Sequence, residues 1–506
     1  MKEQQFDVVV IGAGNGGLGA ALSLAAQGLK PLVIEQHNLP GGCATSFVRG
    51  RFEFDASLHV LFYDRPQFRQ NWESFGLTEQ FSKVPPVFTN AYTDENGNKV
   101  CQVLPLGVPE FIKAVAVEYP DGVASLQKFI GVCAEIARGT AAKATMDAAA
   151  FDEQFPHYKQ FVTMTLQQAY DALDVATEIR SLMSILWFYE GPSVAEMPMA
   201  LYANVVMAFL SMDCYFPNHA CHGFNAEFES IIRKQGGEIW YNTTVEKIYV
   251  SDGRVVAVET DRGDCIKTRY VVSNAAPKVV YGKMITPKEA IDEQLVEIEN
   301  SVPDNMSFAV VYLGLDRSAE ELGIRSHHIF VNESSDPIKT YEASFTLDGP
   351  YCMGLLCPNL TVEGYSPEGT CVVSIAVPMR GCALEGLDQK GYFAAKERFA
   401  YNVVKSAGEH LGVDFLSHIE EIEVALPATF SRYAGLPNGA LGYAMNTLAS
   451  SKSRYATYAS QKGSSGDAPV KGLAFVGQFA HGIGYPNNPI GIGVGAAVAA
   501  AMKEEG

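Results

Sequence analysis

An α/β fold is predicted by three features of this chain. Residues 6–35, FDVVVIGAGNGGLGAALSLAAQGLKPLVIE, run as apolar strand, glycine turn, small-residue helix and second strand. Residues 472–501, GLAFVGQFAHGIGYPNNPIGIGVGAAVAAA, give a further strand, a glycine-rich loop and an alanine-rich helix. Between these ends, blocks of helical periodicity alternate with blocks of strand alternation.

The first unit has the spacing of a dinucleotide-binding turn. Gly12 permits the tight strand-to-helix turn, Gly14 lets backbone approach a pyrophosphate, and Gly17 lets the helix pack on the strand. Ala13, Asn15 and Gly16 complete the turn, and the helix-start N–H groups near Gly14 to Gly16 face the phosphates. Gly28 ends the helix. Glu35 stands where an acid accepts hydrogen bonds from an adenosine ribose and repels a 2′-phosphate, which disfavours NADP. The motif alone leaves FAD and NAD as alternatives.

With 506 residues the chain is long enough for two or three cores. A hydrophobic content of 47% marks a globular chain. The net charge of −19 argues against nucleic acid or an anionic membrane surface as a main partner. Only Met1 to Gln5 precede the first strand, so a cytoplasmic location is expected, with at most peripheral membrane contact. The longest largely apolar run, Met197 to Leu210, carries Pro198 and Asn204 and is too short to span a bilayer. The ten scattered cysteines read as reduced thiols, and no zinc pattern is complete.

Residues 41–62 read as a glycine turn followed by strand alternation. From Asp64 to Ser211 helices are expected, among them Val123 to Arg138 and Tyr158 to Ile179, with turns at Pro85-Pro86, Asp94 to Gly97 and Gly191-Pro192. A helix over Cys221 to Gln235 ends at Gly236-Gly237. Glu238 to Tyr249 and Arg254 to Thr260 read as a hairpin around Asp252-Gly253. Tyr270 to Ser273, Asn305 to Leu315 and Cys371 to Val377 are strand-like, and Phe393 to Leu411 is helical. Ser460 to Asp467 reads as a surface loop. Gly472 to Gly477 is a strand, and the final helix begins near Pro489 to Gly491.

Taken together, these segments resemble the phytoene desaturase superfamily of FAD-dependent oxidoreductases, which includes carotenoid isomerases and retinol saturases. The resemblance rests on Ile11 to Glu35, the Gly41-Gly42 turn with FEFD at 52–55, and GGEIWYNTTVEKI at 236–248. It continues through VVSNAAP at 271–277, SPEG at 366–369, HIEEIEVALPATFSRYAGLPNGALGYA at 418–444, and the closing VGQ with its glycine-rich helix. GGC at 41–43, with Phe54-Asp55 and then Leu58-His59, looks more like the retinol saturase branch than the bacterial phytoene desaturases. Gln478 departs from the pattern, since many members carry an acid there.

The resemblance implies a glutathione-reductase-like, Rossmann-type FAD domain built from residues 1–63, 215–300 and 425–506. An inserted α+β substrate domain would comprise 64–214 and 301–424. It further implies that Gly12 to Gly17 hold the pyrophosphate, Glu35 the ribose and the Val245 backbone the adenine, with Ala275 nearby. Gly41, Gly42, Thr45, Gly477, Gln478, Pro489, Ile490 and Gly491 would flank the ribityl chain and ring. The flavin performs the hydride chemistry, so the protein's part is to place an apolar substrate and exclude water.

His59 is the candidate proton donor, against the alternative of a satisfied core histidine. Arg49 and Arg51 read as surface salt-bridge partners, with a substrate carboxylate as the alternative. Cys43 reads as a small space-filling thiol near the ring. The stripe of Trp187, Phe188, Met197, Met199, Tyr202, Met207 and Phe209 has the pattern of a core; the resemblance implies that such helices line a substrate tunnel, which makes Trp187, Phe188 and Tyr202 the candidate substrate contacts.

Three functions stay open. The first is desaturation, saturation or isomerisation of an isoprenoid, carotenoid-like or retinoid-like substrate with a separate electron donor or acceptor. The second is oxidation or reduction of a smaller polar molecule, such as an amine or unsaturated acid. The third is flavin binding without turnover.

Overall fold

The computed structural model describes residues 4–63, 66–143, 145–301, 303–441, 445, 447, 469–478 and 487–505. The expected loop at Ser460 to Asp467, and residues 479–486 of the expected flavin-flanking segment, lie outside the described residues.

A five-stranded parallel sheet forms the base. Its order is Glu238–Trp240, Pro31–Ile34, Val8–Ile11, Val271–Ser273 and Leu473–Phe475. The central strand is apolar at every position because both faces are covered. Val8 and Val10 point to a helical layer, where they pack with Leu18, Leu22, Phe224 and Phe228. Val9 and Ile11 point the other way, onto a second five-stranded sheet that supplies Ile248, Val250, Val255 and Val258. The period-two alternation of side chains thus assigns each valine to its own layer.

The helical layer brings the two ends of the chain together. The helix Asn15–Ala26 packs along the last helix, Asn487–Glu504, and against Ala220–Lys234. Small residues permit this closeness. A Cβ on Gly491 would lie 2.0 Å from the Gly16 carbonyl oxygen, and one on Gly495 would lie 2.6 Å from that of Ala20.

A seven-stranded mixed sheet stands above the groove. Its order is Ile419–Ala425, Ser307–Leu315, Cys371–Met379, Cys352–Leu356, His328–Asn332, Val87–Thr93 and Lys99–Pro105. Along Ser307–Leu315, Ala309, Val311 and Leu313 face the helix Gln389–Leu411 through Phe399, Val403 and Ala407. Phe308, Val310 and Tyr312 face the opposite side, toward the base. At the far end, helices between Val108 and Ser211 enclose their own core, which includes Phe111, Leu126, Phe129, Ile136 and Val206. Among the described residues no helix is long and apolar enough to cross a membrane.

Three expectations are corrected. The stretch from Asp64 to Ser211 is not helical throughout, since Val87–Thr93 and Lys99–Pro105 pair as a hairpin that closes one edge of the large sheet. The turns at Pro85-Pro86 and Asp94 to Gly97 flank these strands rather than helices. Tyr158 to Ile179 is three short helices, Tyr158–Phe161, Leu166–Ala172 and Thr177–Met183. Thr165 and Gln168 form a reciprocal cap that starts the second of them. The hairpin around Asp252-Gly253 begins only at Val245. Glu238–Trp240 pairs instead with Pro31–Ile34, and both turn residues adopt the positive φ that a tight hairpin requires.

The helix contact yields a paired prediction. Gly491→Ala should destabilise the protein by about 1–3 kcal/mol through overpacking. Gly493→Ala, with nothing within 4 Å of its added Cβ, should be neutral or mildly stabilising. Chemical denaturation of the two variants in parallel checks this; equal effects would refute the packing argument.

Candidate active site

The turn after Val8–Ile11 is held by backbone. Gly12, at φ 90°, donates its N–H to the Ile34 carbonyl at 2.8 Å. A Cβ on Gly17 would lie 2.0 Å from the Gly12 carbonyl oxygen, so only glycine lets the helix start this close to the strand. Gly14 is the N-cap of that helix, with no side-chain cap and no acid in the first turn. The helix N-terminus therefore keeps its positive end for an external anion. A second glycine turn lies alongside, with Gly41 donating to the Ala13 carbonyl at 2.8 Å. A Cβ on Gly42 would come within 3.2 Å of the Gly14 Cα.

Glu35 closes one end. It is buried, and its two oxygens accept the Ala13 N–H at 2.6 Å and the His37 N–H at 2.8 Å. Burial raises its pKa, and these backbone donors partly offset that rise. Each oxygen retains a lone pair for a ribose hydroxyl. Val245 lines the same end with Thr243, Thr244 and Lys247.

Sequence reasoning missed Asn274. It follows the strand Val271–Ser273, and its N–H donates to the Ile11 carbonyl at 2.8 Å. Its side chain is the nearest obstacle to a Cβ on Gly12, Gly14 or Gly477, and one of the nearest for Gly16. Four glycines thus surround one amide. The available signal was its place at the carboxyl end of a parallel strand, where α/β sheets bind their ligands. The neighbouring Ala275 also lines the cavity.

These groups border one cavity of about 1670 Å³. Single ligand pockets typically span about 300–1,000 Å³, so this cavity has room for a cofactor and a second molecule. Its walls run from Glu35 past Gly12, Gly14, Asn15, Gly16, Gly41, Gly42, Thr45 and Gln478 to the large sheet. Thr45 carries a buried hydroxyl with no partner among the described residues. An uncapped helix start, a cradle of glycines and this lone hydroxyl together fit an extended dinucleotide.

Several expected residues sit elsewhere. Ala13, Gly17 and Gly477 shape the turn from behind and do not line the cavity. Pro489, Ile490 and Gly491 are likewise outside its described lining, and Gly491 serves the helix contact instead. Trp187 and Tyr202 are corrected as substrate contacts. Both are buried in the helical core, where Trp187 packs on Tyr341 and the Tyr202 hydroxyl donates to the Met183 carbonyl at 2.6 Å. Phe188, next in sequence to Trp187, does line the cavity. A helical stripe cannot by itself reveal which side faces a cavity and which a core.

At the substrate end, Phe308, Val310, Tyr312, Leu356 and Ala376 project from the large sheet. His59 is there too, its Nδ1 2.9 Å from the Tyr189 hydroxyl. Burial lowers its pKa to about 4, so the imidazole is neutral at pH 7. Cys43 also lines the cavity, and burial pushes its thiol up to about 12, which keeps it protonated and unreactive. Asp55 accepts the Cys221 N–H at 2.8 Å and the Tyr365 hydroxyl at 2.7 Å, tying the strand Phe52–Asp55 to the helix Ala220–Lys234. Arg49 and Arg51 pair with Glu423 and Glu420. Among the described residues, no cluster of three His, Cys, Asp or Glu could hold a metal.

Known proteins extend this picture. Residues 16–396 match the family of flavin containing amine oxidoreductases. Prolycopene isomerase from Daucus carota is 24% identical over 481 residues, covering 88% of this chain and 75% of the relative. All-trans-retinol 13,14-reductase from Danio rerio is 21% identical over 351 residues, covering 65% of this chain and 57% of the relative. Both agree with the superfamily named from the motifs. A putrescine oxidase structure shares the fold at a TM-score of 0.69 and 13% identity, covering all of both chains. With about three quarters of its length matched, the chain belongs to the flavin-containing amine oxidoreductase family and is an FAD-dependent oxidoreductase.

Proposed function

We propose that this oxidoreductase acts on a C–C or C=C bond of a long apolar, isoprenoid-like substrate. The observation that carries the reading is the single cavity that joins the dinucleotide groove to the apolar face of the large sheet. The relatives, a prolycopene isomerase and an all-trans-retinol 13,14-reductase, support the same class. The FAD domain would comprise 1–63, 215–300 and 425–506, and the substrate domain 64–214 and 301–424.

Bound FAD supplies hydride transfer. The Gly12 to Gly17 turn with its helix N-terminus would hold the pyrophosphate, and Glu35 the adenosine ribose. Val245 would meet the adenine through backbone, while Thr45 and Gln478 would flank the ribityl chain. Phe188, Phe308, Val310 and Leu356 would orient the hydrocarbon and exclude water. His59, neutral and hydrogen-bonded to Tyr189, is the group placed to hold or donate a proton at Nε2.

Glu190 favours a second reading. It is a buried carboxylate on the same wall, and such a group suits a protonated amine.

The purified protein should be yellow, and an organic extract of it should contain an apolar polyene or isoprenoid by mass spectrometry. Anaerobic bleaching by an amine, with no isoprenoid active as donor or acceptor, would favour the second reading. Binding of FAD without any turnover would leave a flavin carrier.

Glu35→Ala should weaken FAD binding to the apoprotein about 10- to 100-fold, the scale of one or two hydrogen bonds to a charged group. Flavin fluorescence titration measures this, and unchanged affinity would remove Glu35 from the ribose site. The low pKa of His59 sets a pH test. Between pH 5.5 and 8 the imidazole stays neutral, so the rate of flavin reduction or reoxidation should show no His59-dependent limb near 6.5. A limb in that range, abolished by His59→Asn, would show that the imidazole titrates normally.

A further inference from the structure

At its substrate end the cavity is largely apolar, and His59 and Tyr189 form a built polar pair there, with Glu190 next in sequence on the same wall. Leu58, Leu61, Phe62, Phe188, Phe308 and Leu356 line this region together with His59 and Tyr189. The pair is held from several sides. The Tyr189 ring stacks on Phe188 at 4.4 Å, and Phe188 rests against Gly354, where a Cβ would approach within 2.8 Å. The rings of His59 and Tyr189 meet edge to face at 5.4 Å. Behind them, the His59 carbonyl lies 3.4 Å from Nε2 of the fully buried His327. Nδ1 of His327 is in turn 2.8 Å from the Thr361 hydroxyl. A Thr361 O–H donating to Nδ1 and an Nε2–H donating to the carbonyl satisfy all of these groups with a neutral His327.

His59 spends Nδ1 on Tyr189, and its Nε2 makes no hydrogen bond among the described residues. Once a hydrocarbon fills the cavity and displaces water, Nε2 would be stranded in apolar surroundings. A stranded polar atom costs more than a satisfied one gains, so the site discriminates against any ligand that offers it nothing.

We infer that His59 and Tyr189 form a specificity-determining pair for a substrate oxygen, and that the substrate is an isoprenoid alcohol or carbonyl compound rather than a pure hydrocarbon. The inference rests on the apolar-substrate reading and narrows it: the hydrocarbon body lies against Phe188, Phe308 and Leu356, while the oxygen meets Nε2 of His59. Tyr189 acts through His59 by fixing its ring and tautomer.

Equilibrium binding to the FAD-loaded protein tests this without turnover. The probes are geranylgeraniol and its deoxy hydrocarbon analogue, delivered from cyclodextrin and followed by flavin absorbance shift and tryptophan quenching. The wild-type protein should prefer the alcohol about tenfold. His59→Leu should lower alcohol affinity about tenfold and leave the hydrocarbon unchanged or tighter. Tyr189→Phe should reduce the preference to within about threefold while the flavin spectrum stays intact. Equal wild-type affinity for the two probes, or parallel weakening of both in the variants, would overturn the pair's role and leave the apolar-substrate reading standing. Binding of neither probe would overturn both.

Discussion

Backbone meets backbone where the two ends of this chain converge, and the cofactor groove depends on that contact. Gly17 rests on the Gly12 carbonyl, Gly491 on that of Gly16, and Gly42 on the Cα of Gly14. No side chain intervenes at any of these points. The N-terminus of Asn15–Ala26 is therefore brought up to the strand ends while its N–H groups stay uncapped. A larger residue at one point would push back the helix that aims the anion site. Asn274 links the elements further, since its backbone extends the sheet and its side chain fills the space four glycines leave.

The large sheet transmits this arrangement to the substrate end. Because successive side chains point to opposite faces, Ser307–Leu315 serves two purposes at once. Ala309, Val311 and Leu313 bind the covering helix, and Phe308, Val310 and Tyr312 look onto the cavity. A one-residue slip would exchange the two sets. Its pairing on both sides, with Cys371–Met379 and Ile419–Ala425, fixes the register. Tyr312 then reaches across, its hydroxyl donating to the Ala56 carbonyl at 2.6 Å, and so joins the sheet to the loop that carries His59.

The base of the fold was legible because its constraints are local. A glycine turn, a strand of uninterrupted valines and an acid at the next strand end each sit within a few residues of one another, and Glu35 holds Ala13 as part of that unit. The substrate end was less legible because it is built from long-range pairings. The hairpin at Val87–Thr93 closes a sheet whose neighbouring strand is His328–Asn332, more than two hundred positions away. Met199–Ser211 is apolar nearly all round, so its pattern could not tell a tunnel wall from a core, and Tyr202 fell on the core side. Asn274 escaped notice because its part is to occupy space between glycines that are distant in sequence.

The chemistry of the cavity follows from how its titratable groups are held. The protein as a whole carries −19, but two titratable groups beside the apolar wall, Cys43 and His59, are kept uncharged. Cys43 stays a thiol because burial opposes the thiolate, and His59 stays an imidazole because burial opposes the imidazolium. Neither offers a fixed charge to recognise an ionic substrate. The acidic and basic side chains that line the groove fall mainly along its dinucleotide half, at Glu35, Glu246 and Lys247, or in pairs such as Arg49 with Glu423, while Glu190 stands on the substrate wall. Neutral dipoles beside an aromatic and aliphatic wall select shape first and a single hydrogen bond second. That is the order of recognition expected for a molecule that is hydrocarbon along its length and polar at one end.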